Sequence, residues 1–356
     1  MERRIDAIVQ SYDSLSVPGA SVLLLKNGEV VFGSAYGLAS LDPHRTASRD
    51  TNYRLASCTK QFTAAAVLLL AEQGGISLDD SITGPLPELP AWACAITVRH
   101  LLTHTSGLVD YEEVMRSDQK AQMYDRDVLM LLAEQTVTRF APGAKYQYSN
   151  SGYALLAMIV ERVSGRPFAT FLSDCIFTPL HMNSTVAFEA GRSSVVNRAW
   201  GYSRRSGSAA QEGEGPSPSR HAMRPVESGT SEWVRTDQSL TSAVLGDGGI
   251  YSNVDDLARW LAALDEAELL SPRSLAMAFT PWAKTDSPGV HYGFGWRLGT
   301  YKGHWATWHT GETIGFRNAI VRLPDKRLSV CVLTNRNEGE PDRLALAIAD
   351  LFLGVD

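Results

Sequence analysis

Ser57 and Lys60 stand three residues apart in "YRLASCTKQFTAAAVLLLAEQGG", residues 53–75. They put a hydroxyl and an amine at the mouth of an apolar helical segment. A charge in such a place is costly to desolvate, and a serine hydroxyl is a poor nucleophile at neutral pH without a nearby base. Residues i and i+3 share a helix face, so the Lys60 amine can approach the Ser57 hydroxyl. The helix start adds free N–H groups and a favourable dipole. The chemistry this suggests is acyl transfer to serine.

The spacing recurs at Ser117 and Lys120 in "SDQK", but in a polar stretch with no apolar helix behind it, so that copy reads as solvated surface. A second element is "YQYSNSGYALLAMIVERVSG". Here Tyr148 offers a phenol that can shuttle protons beside an ammonium, and Asn150 offers a carbonyl to Lys60 and an amide to a substrate oxygen. The tripeptide Tyr251-Ser252-Asn253 repeats the pattern, and Asn253 reads as a helix cap. The third element is His309-Thr310-Gly311 in "WHTGETIGF", at the end of an apparent strand. A glycine there would let a substrate backbone approach, and the N–H of Glu312 could serve an oxyanion hole; alone, the same residues more often describe a turn.

The elements that must position these groups alternate in character. "GASVLLLKNGEVVFGSAYG" reads as two strands around Asn27-Gly28, since both turn residues tolerate positive φ. Residues 55–185 carry helical signals: Ser57–Gln73, Val98–Leu102, Arg126–Glu134 and Tyr153–Val163, the last closed by Gly165. Residues 203–220 are rich in Ser, Gly and Pro and read as a mobile loop. A helix from Val254 follows, then four strand-like runs from residue 291, "HYGFGWRLG", "HWATWHTG", "GFRNAIVRLP" and "RLSVCVLTN", and a closing helix over Asp342–Phe352. The N-terminal stretch "MERRIDAIVQSYDSL" reads as an amphipathic helix. A sheet completed by sequence-distant ends, with a helical lobe inserted, accounts for this order.

The 356 residues are 44% hydrophobic with a net charge of -6, which supports a sizeable core and supplies no basic stripe for nucleic acid. The longest apolar run, around Ala64–Ala71, is far shorter than the roughly 20 residues that span a bilayer. The N-terminus lacks an apolar signal segment, so the protein is expected in the cytoplasm, or in the periplasm or outside the cell if a leader was trimmed. Cys58, Cys94, Cys175 and Cys331 have no zinc or disulfide spacing. His100 and His104 stand four apart without the glutamate or third ligand of a metal site, and read as structural.

Taken together and in order, S-x-x-K at Ser57, Y-x-N at Tyr148 and H-T-G at His309 resemble the signature of the serine β-lactamase and penicillin-binding-protein superfamily. The likeness extends through "ITVRHLLTHTSGL", "GDGGIYSNVDDLARWL" and "YGFGW", and looks like the class C β-lactamase, DD-peptidase and family VIII esterase branch. It implies an α+β fold, β-lactamase/transpeptidase-like: an antiparallel sheet flanked by N- and C-terminal helices, formed by residues 1–54 plus 186–356, with a mainly helical lobe over 55–185 and the active site between them. It implies that Ser57 is acylated, that Lys60 keeps Ser57 and Tyr148 in working protonation states, and that Tyr148 serves as general base and then acid. Asn150 would hold Lys60 and the substrate carbonyl, Thr310 would line the strand edge beside the acyl chain, and the N–H groups of Ser57 and Glu312 would form the oxyanion hole. Neither metal nor organic cofactor is implied.

His309 stands where many β-lactamases carry lysine, and exchanges a permanent charge for a switchable one. Glu312 would lie near the place of a substrate carboxylate, which like charge repels. Glu340 and Arg343 in "LTNRNEGEPDR" align with a class C segment that holds a β-lactam carboxylate, Glu340 replacing an amide. The expected activity is hydrolysis of small esters or D-amino-acid amides and peptides, neutral or amine-bearing. A β-lactamase or DD-carboxypeptidase is the alternative within enzymes, and a non-turnover acyl-binding sensor the alternative outside them.

Overall fold

Asn27 and Gly28 adopt φ values of 55° and 82°, and join the strands Ala20–Lys26 and Glu29–Tyr36 as a hairpin. The first of these strands also pairs antiparallel with Leu328–Thr334, Val22 opposite Val332. Sequence-distant ends therefore complete one sheet. The computed structural model describes residues 1–205 and 232–353. Its main sheet has eight antiparallel strands in the order Ala283–Lys284, His291–Tyr292, Arg297–Tyr301, His304–Thr313, Phe316–Leu323, Leu328–Thr334, Ala20–Lys26, Glu29–Tyr36.

Side chains alternate faces along a strand, and Ala20–Lys26 is buried on both. Val22 and Leu24 join Ile5, Val9, Val330 and Ile348 beneath the helices Glu2–Ile8 and Pro341–Leu353. Leu23 and Leu25 face the other way, into a cluster with Phe62, Leu155, Trp260, Ile320 and Leu333. The described helices and strands between residues 55 and 185 are all helical. They share this second cluster with the sheet and the helix Val254–Glu266, so the helical middle is cored against the sheet. Among the described residues no helix is long and apolar enough to cross a membrane.

The structure adjusts several expected boundaries. The helix over Asn150–Ser164 begins three residues before Tyr153, because the Asp110 carboxylate accepts the Asn150 N–H at 2.7 Å and satisfies a terminal donor from a distant segment. The run "HYGFGWRLG" is two strands, broken at Gly295, which takes φ 77°. Of the loop expected over 203–220, Ser203 and Arg204 belong to the strand Tyr202–Arg204, paired with Trp233–Arg235; the part beyond residue 205 lies outside the described residues.

Candidate active site

Ser57 sits in the 3-10 turn Ala56–Thr59, which runs into the helix Lys60–Glu72. The turn is placed by its neighbours: Tyr53–Arg54 pairs with Ile250–Ser252, and Leu55 N–H donates to the Ile250 carbonyl at 2.8 Å. Ala56 takes φ 49°, a left-handed value that costs an L-residue roughly 1–2 kcal/mol. The residue before the hydroxyl is therefore held under strain by its surroundings.

Lys60 is wholly buried. Its Nζ lies 3.0 Å from Ser57 Oγ, 2.9 Å from Asn150 Oδ1 and 2.9 Å from the Asp247 carbonyl. An ammonium has three donors and no acceptor, and three acceptors surround this one. Its Nζ also stands 5.0 Å from the centre of the Tyr148 ring and 5.5 Å from that of Tyr153. This is how the desolvation cost of a buried charge is offset.

A closed ring of hydrogen bonds supports these acceptors. Asp110 takes the Asn150 N–H, Tyr111 N–H donates to Ser151 Oγ at 2.8 Å, and the Tyr111 hydroxyl donates to the Asp247 carboxylate at 3.0 Å. The Leu245–Gly248 turn that carries the Asp247 carbonyl is fixed by Asp125, which accepts from Leu245 N and Gly246 N at 2.8 and 3.0 Å. Burial pushes the Asp247 carboxyl up to about 6, against the pull of Lys60 and the Tyr111 hydrogen bond.

The cavity at Ser57 is lined by Asn150, Asp247 and Tyr111, and by two carboxylates, Glu112 and Glu312. Glu112 stays exposed to solvent, yet the protein crowding around it, then Asp110 and Asp247, push its carboxyl up to about 7. Glu312 pairs with Arg317 at 3.2 Å. The Arg297 guanidinium lies 6.0 Å from the centre of the Tyr148 ring, with no carboxylate paired to it among the described residues. A wider depression at the Glu29–Tyr36 edge, lined by Asp6, Phe32, Ser34 and Arg49, has no lysine or histidine in its lining to activate the serine.

His309, Thr310 and Gly311 do not line this cavity, and two expectations about them are corrected. His309 is buried; its Nδ1–H donates to the Thr310 carbonyl at 2.6 Å, and its Nε2 accepts from the Tyr292 hydroxyl at 3.0 Å. Burial, then Arg297 and Lys60, push it down to about 3, so at neutral pH it is a fixed neutral imidazole rather than a switchable charge. A Cβ on Gly311 would stand 2.0 Å from the Leu55 carbonyl oxygen and 3.3 Å from Cys58 N. The glycine lets the strand His304–Thr313 lie against the nucleophile turn; the close approach is the protein's own. Thr310 lies two residues before Glu312 on that strand, and so on its face.

Other candidates fall away from the site. Ser117 and Lys120 are exposed. Asn253 caps its helix, Oδ1 accepting from Asp256 N at 2.8 Å. His100 forms a capping box with Thr97. The Cys58 thiol is buried, its pKa pushed up, and donates to the His309 carbonyl. Glu340 and Arg343 pair with each other at 2.9 Å on an exposed surface, outside the Ser57 cavity, so Glu340 does not set the charge met by a substrate, contrary to the expectation. The Asp247 carbonyl, Glu112 and Arg297 escaped the sequence reading, with only the clustered glycines of "GDGG" hinting at a special backbone at Asp247; His104, read as structural, packs against Tyr148.

A buried lysine bridging a turn-borne serine and a helix-borne asparagine, beside an antiparallel sheet closed by both chain ends, defines the class as β-lactamase-like serine hydrolases. The chain belongs to the Beta-lactamase family, whose model matches residues 2–354. Among its relatives, penicillin-binding protein 4* of Bacillus subtilis (strain 168) is 30% identical over 89% of this chain and 68% of its own length. The D-aminopeptidase of Brucella ovis is 27% identical over 100% of this chain, which spans 62% of that protein. The structure of D-amino acid amidase from Ochrobactrum anthropi SV3, complexed with L-phenylalanine amide, superposes with a TM-score of 0.80 at 25% identity, covering 99% of each chain.

Proposed function

We propose that the protein hydrolyses small amides and esters whose acyl part carries a free amine, through an acyl-enzyme on Ser57. The observation that carries this is the contact of Lys60 with Ser57, Asn150 and Asp247. With the three Lys60 protons engaged, the Ser57 proton passes to the oxygen of Tyr148, acting in its phenolate form, as Oγ attacks the carbonyl carbon. The N–H groups of Ser57 and Glu312 receive the developing oxyanion; one such donor is worth about 10²–10³ in rate. Tyr148 returns the proton to the leaving amine or alkoxide as the scissile bond breaks. Water, deprotonated in the same way, then releases the acid. Because Asn150 Oδ1 is committed to Lys60, its Nδ2 is the group left to donate to substrate. Glu112 and Glu312 at the cavity supply the anionic wall that an α-ammonium needs, and the names of the D-aminopeptidase and the D-amino acid amidase agree with an amine-bearing acyl group.

A second reading, cleavage of β-lactams or of peptides ending in a carboxylate, is favoured by Arg297, a half-buried cation beside Tyr148 that no carboxylate among the described residues neutralises. The test is steady-state hydrolysis of D-alanine p-nitroanilide, a p-nitrophenyl ester and a chromogenic cephalosporin, with Ser57→Ala as control. Anilide and ester turnover that vanishes in the variant, with slow cephalosporin cleavage, is expected. Dominant cephalosporin cleavage supports the second reading. A burst equal to the enzyme without a steady rate identifies an acylated sensor, and turnover that survives in Ser57→Ala refutes both enzyme readings.

A further inference from the structure

His104 is 1% exposed and packed against the residue proposed as the base. Its ring centre lies 4.3 Å from that of Tyr148, the two planes tilted by 31°, and 4.5 Å from Tyr292 in an edge-on arrangement. Its hydrogen bonds bracket the same tyrosine: the His104 carbonyl accepts from Gln147 N at 2.8 Å, and Nδ1 accepts from Ser149 N at 3.1 Å. His104 itself takes φ 57°, which turns the main chain and the ring toward the same three-residue segment.

A backbone N–H can only donate, so Nδ1 carries the lone pair and the proton of the neutral ring is on Nε2. That atom is buried and unpartnered among the described residues. A buried donor without a partner is costly to keep. Burial, then Lys60, His309 and Arg297, hold the ring well below its usual range, so it stays neutral. A residue whose only task was to fill space would be apolar here.

We propose that His104 is a positioning residue for the acyl-transfer reaction, fixing Tyr148 through ring stacking and a two-sided grip on residues 147 and 149. The inference rests on the reading of Tyr148 as the proton carrier. His104 does not touch substrate; it acts through Tyr148 alone.

The test uses His104→Gly, which accepts the left-handed backbone but removes the imidazole, and His104→Asn, which tolerates that conformation and offers Oδ1 to Ser149 N. Misplacing a reacting group by about 1 Å costs about 10²-fold. For a p-nitrophenyl ester, His104→Gly is therefore expected to lower kcat by about 10- to 100-fold at little-changed KM. His104→Asn should recover most of that loss. In a Tyr148→Phe background, His104→Gly should add less than about twofold, because residues acting through one group are not additive. A His104→Gly kcat within threefold of wild type, or a full loss persisting in the Tyr148→Phe background, overturns the proposal. If His104→Gly fails to fold, a folded His104→Asn with kcat below a hundredth of wild type overturns it as well. Unchanged activity in Tyr148→Phe itself would instead sink the reading of Tyr148, and with it the basis of the inference.

Discussion

Gly311→Ala tests how closely the strand His304–Thr313 must lie against the Ser57 turn. The added Cβ would stand 2.0 Å from the Leu55 carbonyl oxygen, and ordinary contact begins at 3.4 Å. Strand and turn must therefore separate by 3.4 − 2.0, about 1.4 Å. Both partners are main chain, so no side-chain rotation relieves the clash. In the proposed oxyanion hole, the displacement separates the N–H of Ser57 from that of Glu312, so that a substrate oxyanion would reach only one of them. Loss of one donor costs about 10²–10³ in kcat, or about 3–4 kcal/mol. The assay is burst and steady-state release of p-nitrophenol, with urea unfolding to confirm the fold. The expected outcome is a kcat reduced at least a hundredfold in a folded enzyme. A folded Gly311→Ala enzyme whose kcat lies within threefold of wild type would refute the two-donor arrangement.

With Glu112 pushed up to about 7, its carboxylate forms as pH rises from 6 to 7.5; KM for D-alanine p-nitroanilide should fall over that range, and Glu112→Gln should raise and flatten it while leaving an amine-free ester unaffected. An equal KM effect on both substrates would contradict the ammonium role. His309, held at about 3 against 6.5 when unfolded, takes up a proton on unfolding, so its contribution is complete above pH 6.5 and is lost as pH falls toward 3. Between pH 7.5 and 5 the wild type should lose about 2 kcal/mol more than His309→Gln in urea unfolding; parallel losses would show a solvated imidazole. Asn253→Ala should cost about 1 kcal/mol of stability through the lost cap and leave kcat unchanged, and a fall in kcat with stability intact would reinstate the second Tyr-Ser-Asn as part of the site.

Much of the architecture was legible because its signals are local. Asn27-Gly28 must turn, Gly165 must close a helix at φ 69°, and Asn253 must cap one. Ser57, Lys60 and Asn150 were legible because hydroxyl, amine and amide announce themselves by type, and the structure brings those three side chains together. The third acceptor of Lys60 was hidden: it is a main-chain carbonyl 187 residues away, and every residue has a carbonyl. The charge of His309 was misread for the opposite reason, since residue type suggests a group near neutrality while enclosure beside Arg297 and Lys60 decides otherwise. Gly311 was read as room for a ligand, but only the fold reveals that the Leu55 carbonyl occupies that room. Nothing in the sequence marked Glu112, which the turn after Asp110 brings to the cavity.

The pairing of Ala20–Lys26 with Leu328–Thr334 also sets a timetable for synthesis. The chain from Lys26 to Thr334 is 334 − 26 = 308 residues long, and at roughly 5–20 residues per second a ribosome needs about 15–60 s to deliver the second strand after the first. Throughout that interval the first strand has only Glu29–Tyr36 beside it, and a lone two-stranded hairpin is marginal in water. Val22 and Leu24 have no Ile348 to cover them until the last helix has emerged. The first strand therefore waits, paired on one side only, until Leu328–Thr334 arrives and turns an open hairpin into the centre of a sheet.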